Sequence, residues 1–304
     1  MAAFRSFARR VRALSPLVAA LLACAREPAA RGLSRVDDWG RTVALAAPAR
    51  RIVSLSPSTT EIVFALGLGG RLVGRTTWCD YPPAAAAVPD VGNGLEPNVE
   101  AVAARRPDLV LLYASPANRL AAERLASMGI AAVGIKLDRS PDVGRAARLV
   151  GALSGAGAAA DSLVVAFDSS LAAAARAAAG GAGRRPRLYV HVWADPPVTV
   201  GRGSYLNEIL AAAGAENVFA DVAAPSATVS LEAIARRDPD AIVVLAADTL
   251  AAPPLAGRAP WRVVRAAREG RYLLLEGSLY GRPSPRMPWA VRDLSARLRR
   301  GVAR

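Results

Sequence analysis

Short apolar runs alternate with segments of helical period through most of the chain, the pattern of an α/β fold with mainly parallel sheets. Arg51 to Leu55 is predicted as a buried strand. It runs into Ser58-Thr59-Thr60-Glu61, which reads as a capping box at the start of an apolar helix ending at Leu66, with Gly67 and Gly69 as the stop. The pattern then predicts a strand at Leu72 to Thr77, a helix at Val99 to Arg105, a strand at Leu109 to Tyr113, a helix at Leu120 to Met128 and a strand at Ala131 to Ile135. The loop Trp78-Cys79-Asp80-Tyr81-Pro82-Pro83 follows a strand, and the carboxyl ends of parallel strands are where open α/β sheets hold ligands.

An alanine-rich helical stretch from about Asp142 to Ala179, broken near Gly155 and Gly157, closes this first set. A second set begins at Arg187, with strands at Leu188 to Trp193, Ala241 to Leu245 and Tyr272 to Leu275 and a last helix from about Pro285 to Arg300. The expected architecture is therefore two Rossmann-like α/β lobes joined by a long α-helix. The boundaries are 51–140 for the N-terminal lobe, 141–183 for the helical connector and 184–304 for the C-terminal lobe.

An internal repeat supports two related lobes. Asn98 to Leu112 aligns without gaps on Ser230 to Val244, an offset of 132 residues. Each copy has a helix N-cap, an acidic residue in the first turn, a short helix, a Pro-Asp turn and a buried strand. Glu100 and Glu232 occupy equivalent places. Each could simply complement the positive end of its helix, and a symmetric pair of carboxylates could equally be gripped by an arginine-bearing partner of two subunits. The residues alone leave both readings open.

The N-terminus has different grammar. Arg5, Arg9, Arg10 and Arg12 precede the apolar stretch Ala13 to Ala23, which predicts an export signal over 1–23, followed by a linker over 24–50. This stretch is shorter than the about 20 apolar residues a spanning helix needs, and no later stretch reads as long enough. Leu21-Leu22-Ala23-Cys24 resembles a lipobox, so Cys24 is the expected lipid-bearing first residue of the mature chain. That leaves Cys79 without a partner and excludes a disulfide framework.

One histidine, His191, excludes a multi-histidine metal centre, and no metal site or cofactor is expected. The formal charge of +14 would suit a nucleic-acid partner, but the arginines are scattered singly and in pairs without interleaved aromatics, and Lys136 is the only lysine. No nucleic acid is expected as partner. No nucleophile elbow, zinc-protease signature or phosphate loop is present, and no catalytic residue is assigned. An exported α/β enzyme is the distant alternative.

Arg51 to Glu61, the Trp78 to Pro83 loop, the Asn98-Val-Glu and Arg-Pro-Asp pattern, Pro196 to Gly201 and Gly214 to Phe219 together resemble the Fe/B12 periplasmic-binding family, the substrate receptors of ABC importers for cobalamin, ferric siderophores and haem. The Cys-Asp-Tyr-Pro-Pro loop, the Pro-Pro-x-Thr turn and Ser284-Pro285-Arg286 are most similar to the cobalamin receptors. The sequence departs from them at Ser226, where a Trp is frequent, and at Ser278, where an acidic residue is expected.

The resemblance implies a class III periplasmic binding protein, monomeric and extracytoplasmic, whose partners are a small ligand and a membrane permease–ATPase complex. It implies docking to permease arginines for Glu100 and Glu232. For the ligand it implies a corrinoid held by Trp78, Tyr81, Tyr113, Trp193, Tyr280 and Arg282. A ferric siderophore or haem, served by arginines such as Arg75, Arg202, Arg282 and Arg286, is the alternative.

Overall fold

The computed structural model describes residues 32–179, 183–249, 255 and 257–301; the export signal and Cys24 lie outside them. The chain opens on an antiparallel hairpin of β1 (Leu33–Val36) and β2 (Thr42–Leu45). The N-terminal lobe follows as β3 (Ile52–Ser54), α1 (Pro57–Ala65), β4 (Leu72–Arg75), α2 (Val99–Ala104), β5 (Leu109–Tyr113), α3 (Pro116–Ser127) and β6 (Ala131–Ile135). Its four strands pair in parallel in the order β4-β3-β5-β6, as near-continuous apolar runs buried on both faces require.

The connector is two helices, α4 (Ser140–Ser154) and α5 (Gly157–Ala179). Gly155 makes the break between them at φ +70°, a left-handed conformation that suits glycine. The C-terminal lobe holds β7 (Arg187–His191), β8 (Trp193–Ala194), β9 (Pro197–Val200), α6 (Tyr205–Ala212), β10 (Glu216–Asn217), β11 (Ser226–Thr228), α7 (Leu231–Arg237), β12 (Ala241–Ala246), α8 (Arg265–Arg268), β13 (Tyr272–Glu276), α9 (Gly277–Tyr280) and α10 (Met287–Arg299). Its parallel sheet runs β10-β7-β12-β13, and β11-β9-β8 form a small antiparallel sheet beside it.

Three expectations change. The segment taken as a linker contains the β1–β2 hairpin, which is fastened to the first sheet: Asp37 accepts from both Arg41 and the Gly134 N–H, and the Trp39 ring lies where a Cβ on Gly134 would stand. Among the described helices α5 is long and apolar enough by length and composition to cross a membrane, against the expectation that no later stretch is. Its apolarity comes from alanines, and it packs on α4 and α10 as the helix joining the lobes. Finally, α1 begins earlier than the capping box implies, with Ser56 as N-cap and no side-chain cap, which leaves Glu61 in the helix interior.

The repeat is visible in the backbone. Asp108 accepts the N–H groups of Arg50 and Arg51 at the start of β3, and Asp240 accepts the N–H of Arg187 at the start of β7. Arg106 and Asp238, equivalent residues just after the two helices, both take positive φ, +49° and +42°.

Candidate functional site

The hydrogen bonds that join the lobes come from residues that follow the carboxyl ends of parallel strands: Glu61 after β3, Asp80 after β4, Asp138 to Ser140 after β6, and Ser278 to Arg286 after β13. This is where open α/β sheets hold ligands.

The tightest junction is built on Glu61. It lies one turn into α1 and is only 3% exposed. Arg286, just before α10, meets it with a two-pronged ion pair, Nε to Oε2 at 2.8 Å and Nη2 to Oε1 at 2.6 Å. Burial works against the Arg286 cation, but its hydrogen bonds to Glu61 and that carboxylate's charge outweigh it and hold the guanidinium above its ordinary pKa. Arg282 stands 3.7 Å from the same carboxylate, donates to Asp80 Oδ1 at 2.7 Å and to the Trp78 carbonyl at 3.2 Å. The Ser278 hydroxyl also reaches Asp80, at 3.2 Å, and the Arg286 guanidinium lies 3.8 Å over the centre of the Tyr81 ring.

A second junction sits by the connector. The Tyr205 N–H donates to the Asp138 carbonyl at 2.7 Å, and Glu208 accepts from the Ser140 N–H at 2.7 Å and from Arg139 at 2.5 Å. The Arg139 side chain is 53% exposed, so this ion pair contributes at most about 1 kcal/mol. The Tyr113 hydroxyl donates to Asp138 at 2.7 Å; burial and then that bond raise its pKa and keep it protonated.

The six residues assigned to ligand binding separate into two groups. Trp78 follows β4 and is 67% exposed, and Trp193 follows β7 and is 65% exposed, with its indole N–H on the Asp195 carbonyl. Both are largely exposed, an unusual state for tryptophan, and Trp193 opens β8 of the small antiparallel sheet. Tyr113 and Tyr81 are half-buried.

The other two are held by the protein itself. Tyr280 is fully buried, its hydroxyl within 2.8 Å of the Asp293 carboxylate and 2.9 Å of the Ala290 carbonyl in α10, one of which takes its proton, so its ring forms no wall of an open cleft. Arg282 is engaged with Asp80, Trp78 and Glu61. Of the arginines considered for an anionic ligand, Arg75 bonds the Ala85 and Thr76 carbonyls and Arg286 holds Glu61, while Arg202 is exposed. Sequence reasoning missed Glu61 and Asp80 as lobe-joining residues; the clue was an acidic residue inside an apolar helix.

His191, at the end of β7, is a packed residue, 8% exposed. Its ring meets Trp261 edge-on at 5.4 Å, and burial, with a smaller push from Arg258, lowers its pKa to about 4, so it is neutral at physiological pH. Among the described residues no cluster of side chains could hold a metal ion. Beside Trp261, Arg258 and Arg262 from the segment between β12 and α8 and Arg268 at the end of α8 line a recess.

Glu100 and Glu232 are both exposed in the first turns of α2 and α7. Asn98 and Ser230 cap these helices by accepting from the N–H groups of Ala101 and Ala233. Each helix leads into a strand of its lobe's parallel sheet, α2 into β5 and α7 into β12. Hydrogen bonds from its own N–H and from Ser230 hold the Glu232 carboxyl below its ordinary pKa.

Residues 52–277 match the model of a family described as periplasmic binding protein. The chain is 32% identical to the uncharacterized ABC transporter substrate-binding lipoprotein YvrC of Bacillus subtilis, over 85% of this chain and 83% of that one. It is 31% identical to the cobalamin-binding protein of Halobacterium salinarum, over 90% and 76%. A periplasmic haem-binding protein from Pseudomonas aeruginosa superposes with a TM-score of 0.69 at 26% identity, covering 83% of this chain and 94% of that one. With two parallel-sheet lobes joined by α5 and by hydrogen bonds from residues that follow the carboxyl ends of their strands, this chain belongs to the periplasmic binding protein family, as an extracytoplasmic substrate-binding component of an ABC transporter with the class III fold.

Proposed function

We propose that this receptor captures cobalamin or a related corrinoid and presents it to its membrane permease, without catalysing a reaction and with no cofactor of its own. The observation that carries the reading is the exposure of two tryptophans, Trp78 just after β4 in the N-terminal lobe and Trp193 just after β7 in the C-terminal lobe. A corrinoid is large and flat with apolar edges and peripheral amides, and aromatic walls suit it better than a concentrated positive charge would. Two of the arginines that an anionic siderophore would need, Arg282 and Arg286, are occupied by carboxylates of the protein, which supports the same reading. The name of the Halobacterium relative agrees with it.

A second reading, haem or a ferric siderophore, has one specific observation in its favour: the recess of Arg258, Arg262 and Arg268 beside Trp261 could receive carboxylates. Calorimetric titration with cyanocobalamin, haemin and a ferric siderophore separates the two. Cyanocobalamin is expected to bind, and Trp78→Ala to weaken it by about tenfold or more, the loss typical of a central aromatic contact, while Arg258→Ala leaves it within about twofold. Binding of haemin alone, lost in Arg258→Ala, would replace the corrinoid reading with the second one.

The reading includes a lipid anchor at Cys24, supported by the lipobox-like residues before it and by the lipoprotein name of the Bacillus relative. Cys24→Ser is expected to move the protein from the membrane fraction to the soluble fraction, since lipid chains supply the membrane affinity of such a protein. Unchanged fractionation would remove the anchor from the proposal.

A further inference from the structure

The loop that carries Trp78 belongs to the N-terminal lobe, yet much of what holds it comes from the other lobe. Within its own lobe the loop is fixed at one buried residue: Cys79 Sγ lies 3.1 Å from both Thr60 Oγ1 and Thr76 Oγ1, and the Cys79 N–H donates to the Thr76 carbonyl. On either side of Cys79 the loop's own backbone supplies one bond, from the Asp80 N–H to the Trp78 carbonyl, and the side-chain anchors come from the other lobe. Arg282 takes the Trp78 carbonyl and the Asp80 carboxylate, Ser278 takes Asp80 as well, and Arg286 covers the Tyr81 ring while gripping Glu61. These partners are separated from the loop by about two hundred residues of chain, so the contacts exist only when the lobes are closed on each other.

We propose that Arg282 and Arg286 are positioning residues of the binding site: from the C-terminal lobe they set the placement of the Trp78–Tyr81 loop, so that the aromatic wall of one lobe is in register only while the other lobe is seated against it. The proposal rests on the reading of Trp78 as a ligand wall. It follows from the lever arm involved. Trp78 has its ring in solvent and little of its own to pack against, so its direction is set by its backbone, and that backbone's carbonyl is tied to Arg282. Asp80→Asn weakens the charged contact on one side of Cys79, and Arg282→Gln removes the guanidinium from the Asp80 carboxylate and from the Trp78 carbonyl together. The Asp80 side chain is 52% exposed, and in Asp80→Asn the largely buried Arg282 cation still stands 3.7 Å from the Glu61 carboxylate, so neither side of the broken pair is left without an opposite charge nearby. The buried Glu61–Arg286 pair keeps the lobes together in such a variant, which separates loop placement from lobe association.

The test uses the full mature chain labelled with 5-fluorotryptophan, the Trp78 signal being assigned by its disappearance in Trp78→Phe. In Asp80→Asn and in Arg282→Gln the Trp78 fluorine signal is expected to shift and sharpen as the loop gains freedom, while Trp39, against Gly134, and Trp261, in the C-terminal core, stay in place. Cyanocobalamin is expected to dissociate about tenfold faster from both variants, and Arg282→Lys, which keeps a cation within reach of Asp80, is expected to recover most of the loss. A Trp78 signal unmoved in both single variants, or a moved signal with an unchanged dissociation rate, overturns the proposal. If the unaltered protein binds no cyanocobalamin, the ligand reading fails by itself and the fluorine signals still decide whether Arg282 positions the loop.

Discussion

Replacing Arg286 by alanine is expected to lower the free energy of unfolding by about 3 to 5 kcal/mol, a large share of the about 5 to 15 kcal/mol that holds most domains folded. The Glu61 carboxylate is fully enclosed and has its two oxygens on this one guanidinium. Arg282, 3.7 Å away, already serves Asp80 and sits too far for a direct hydrogen bond. Without Arg286 the carboxylate must stay charged with no close partner or take up a proton, and either route penalises the folded state alone. The converse substitution separates the charge from the packing. In Glu61→Gln with Arg286→Met no ion remains buried, and the double variant is expected to recover at least half of the loss, since a buried ion pair contributes little beyond what a well-packed apolar pair would. Urea denaturation followed by far-ultraviolet circular dichroism measures both. A loss below about 1 kcal/mol in Arg286→Ala would mean that water reaches Glu61 and that the junction is not the closed one described.

The same pair shows where sequence reading succeeds and where it stops. The strands were legible because a doubly buried parallel strand must be an unbroken apolar run: β5 and β6 fall on the expected residues, and β3, β12 and β13 within one or two of them. Gly155 was legible as the break between the connector helices because a left-handed residue there suits glycine. Glu61 was misread because an acidic residue three positions after a serine has the local form of a capping box, and nothing local distinguishes a carboxylate that reaches back to its own helix from one that reaches 225 residues forward to Arg286.

Tyr280 failed for a related reason. Residues 277–280 look like loop, but Glu276 accepts the N–H groups of Ser278 and Leu279, winds a short helix, and so turns the ring inward against α10. The β1–β2 hairpin escaped because a strand at the edge of the fold keeps its outer positions polar; Leu33 to Val36 is nearly all exposed. What the sequence did carry beyond the fold is the repeat, since the two copies keep their caps, their positive-φ residues and their strand-start aspartates in the same places.

That repeat supports the largest functional effect expected here. Glu100→Gln together with Glu232→Gln is expected to reduce ligand uptake to background in cells that depend on this receptor, while the purified double variant binds its ligand within about threefold of the unaltered protein and keeps its thermal midpoint within a few degrees. Both carboxylates are exposed, neither pairs with an arginine or lysine in the ion pairs of the described residues, and each helix retains its Asn98 or Ser230 cap. The intrinsic loss is therefore small: their favourable interaction with the helix N-termini and, at Glu232, the hydrogen bond from Ser230.

A partner that grips one carboxylate on each lobe depends on both, because the second contact forms at the high effective concentration created by the first. Each single substitution should accordingly leave measurable uptake and the pair almost none. Salt sharpens the test, since attraction between exposed charges weakens as ionic strength rises, and receptor binding to permease in proteoliposomes should fall with added salt for the unaltered protein but change little for the double variant. Uptake that survives the double substitution would return Glu100 and Glu232 to a purely local role at their helix ends, and loss of ligand affinity in the purified variant would move them from the docking face into the binding site.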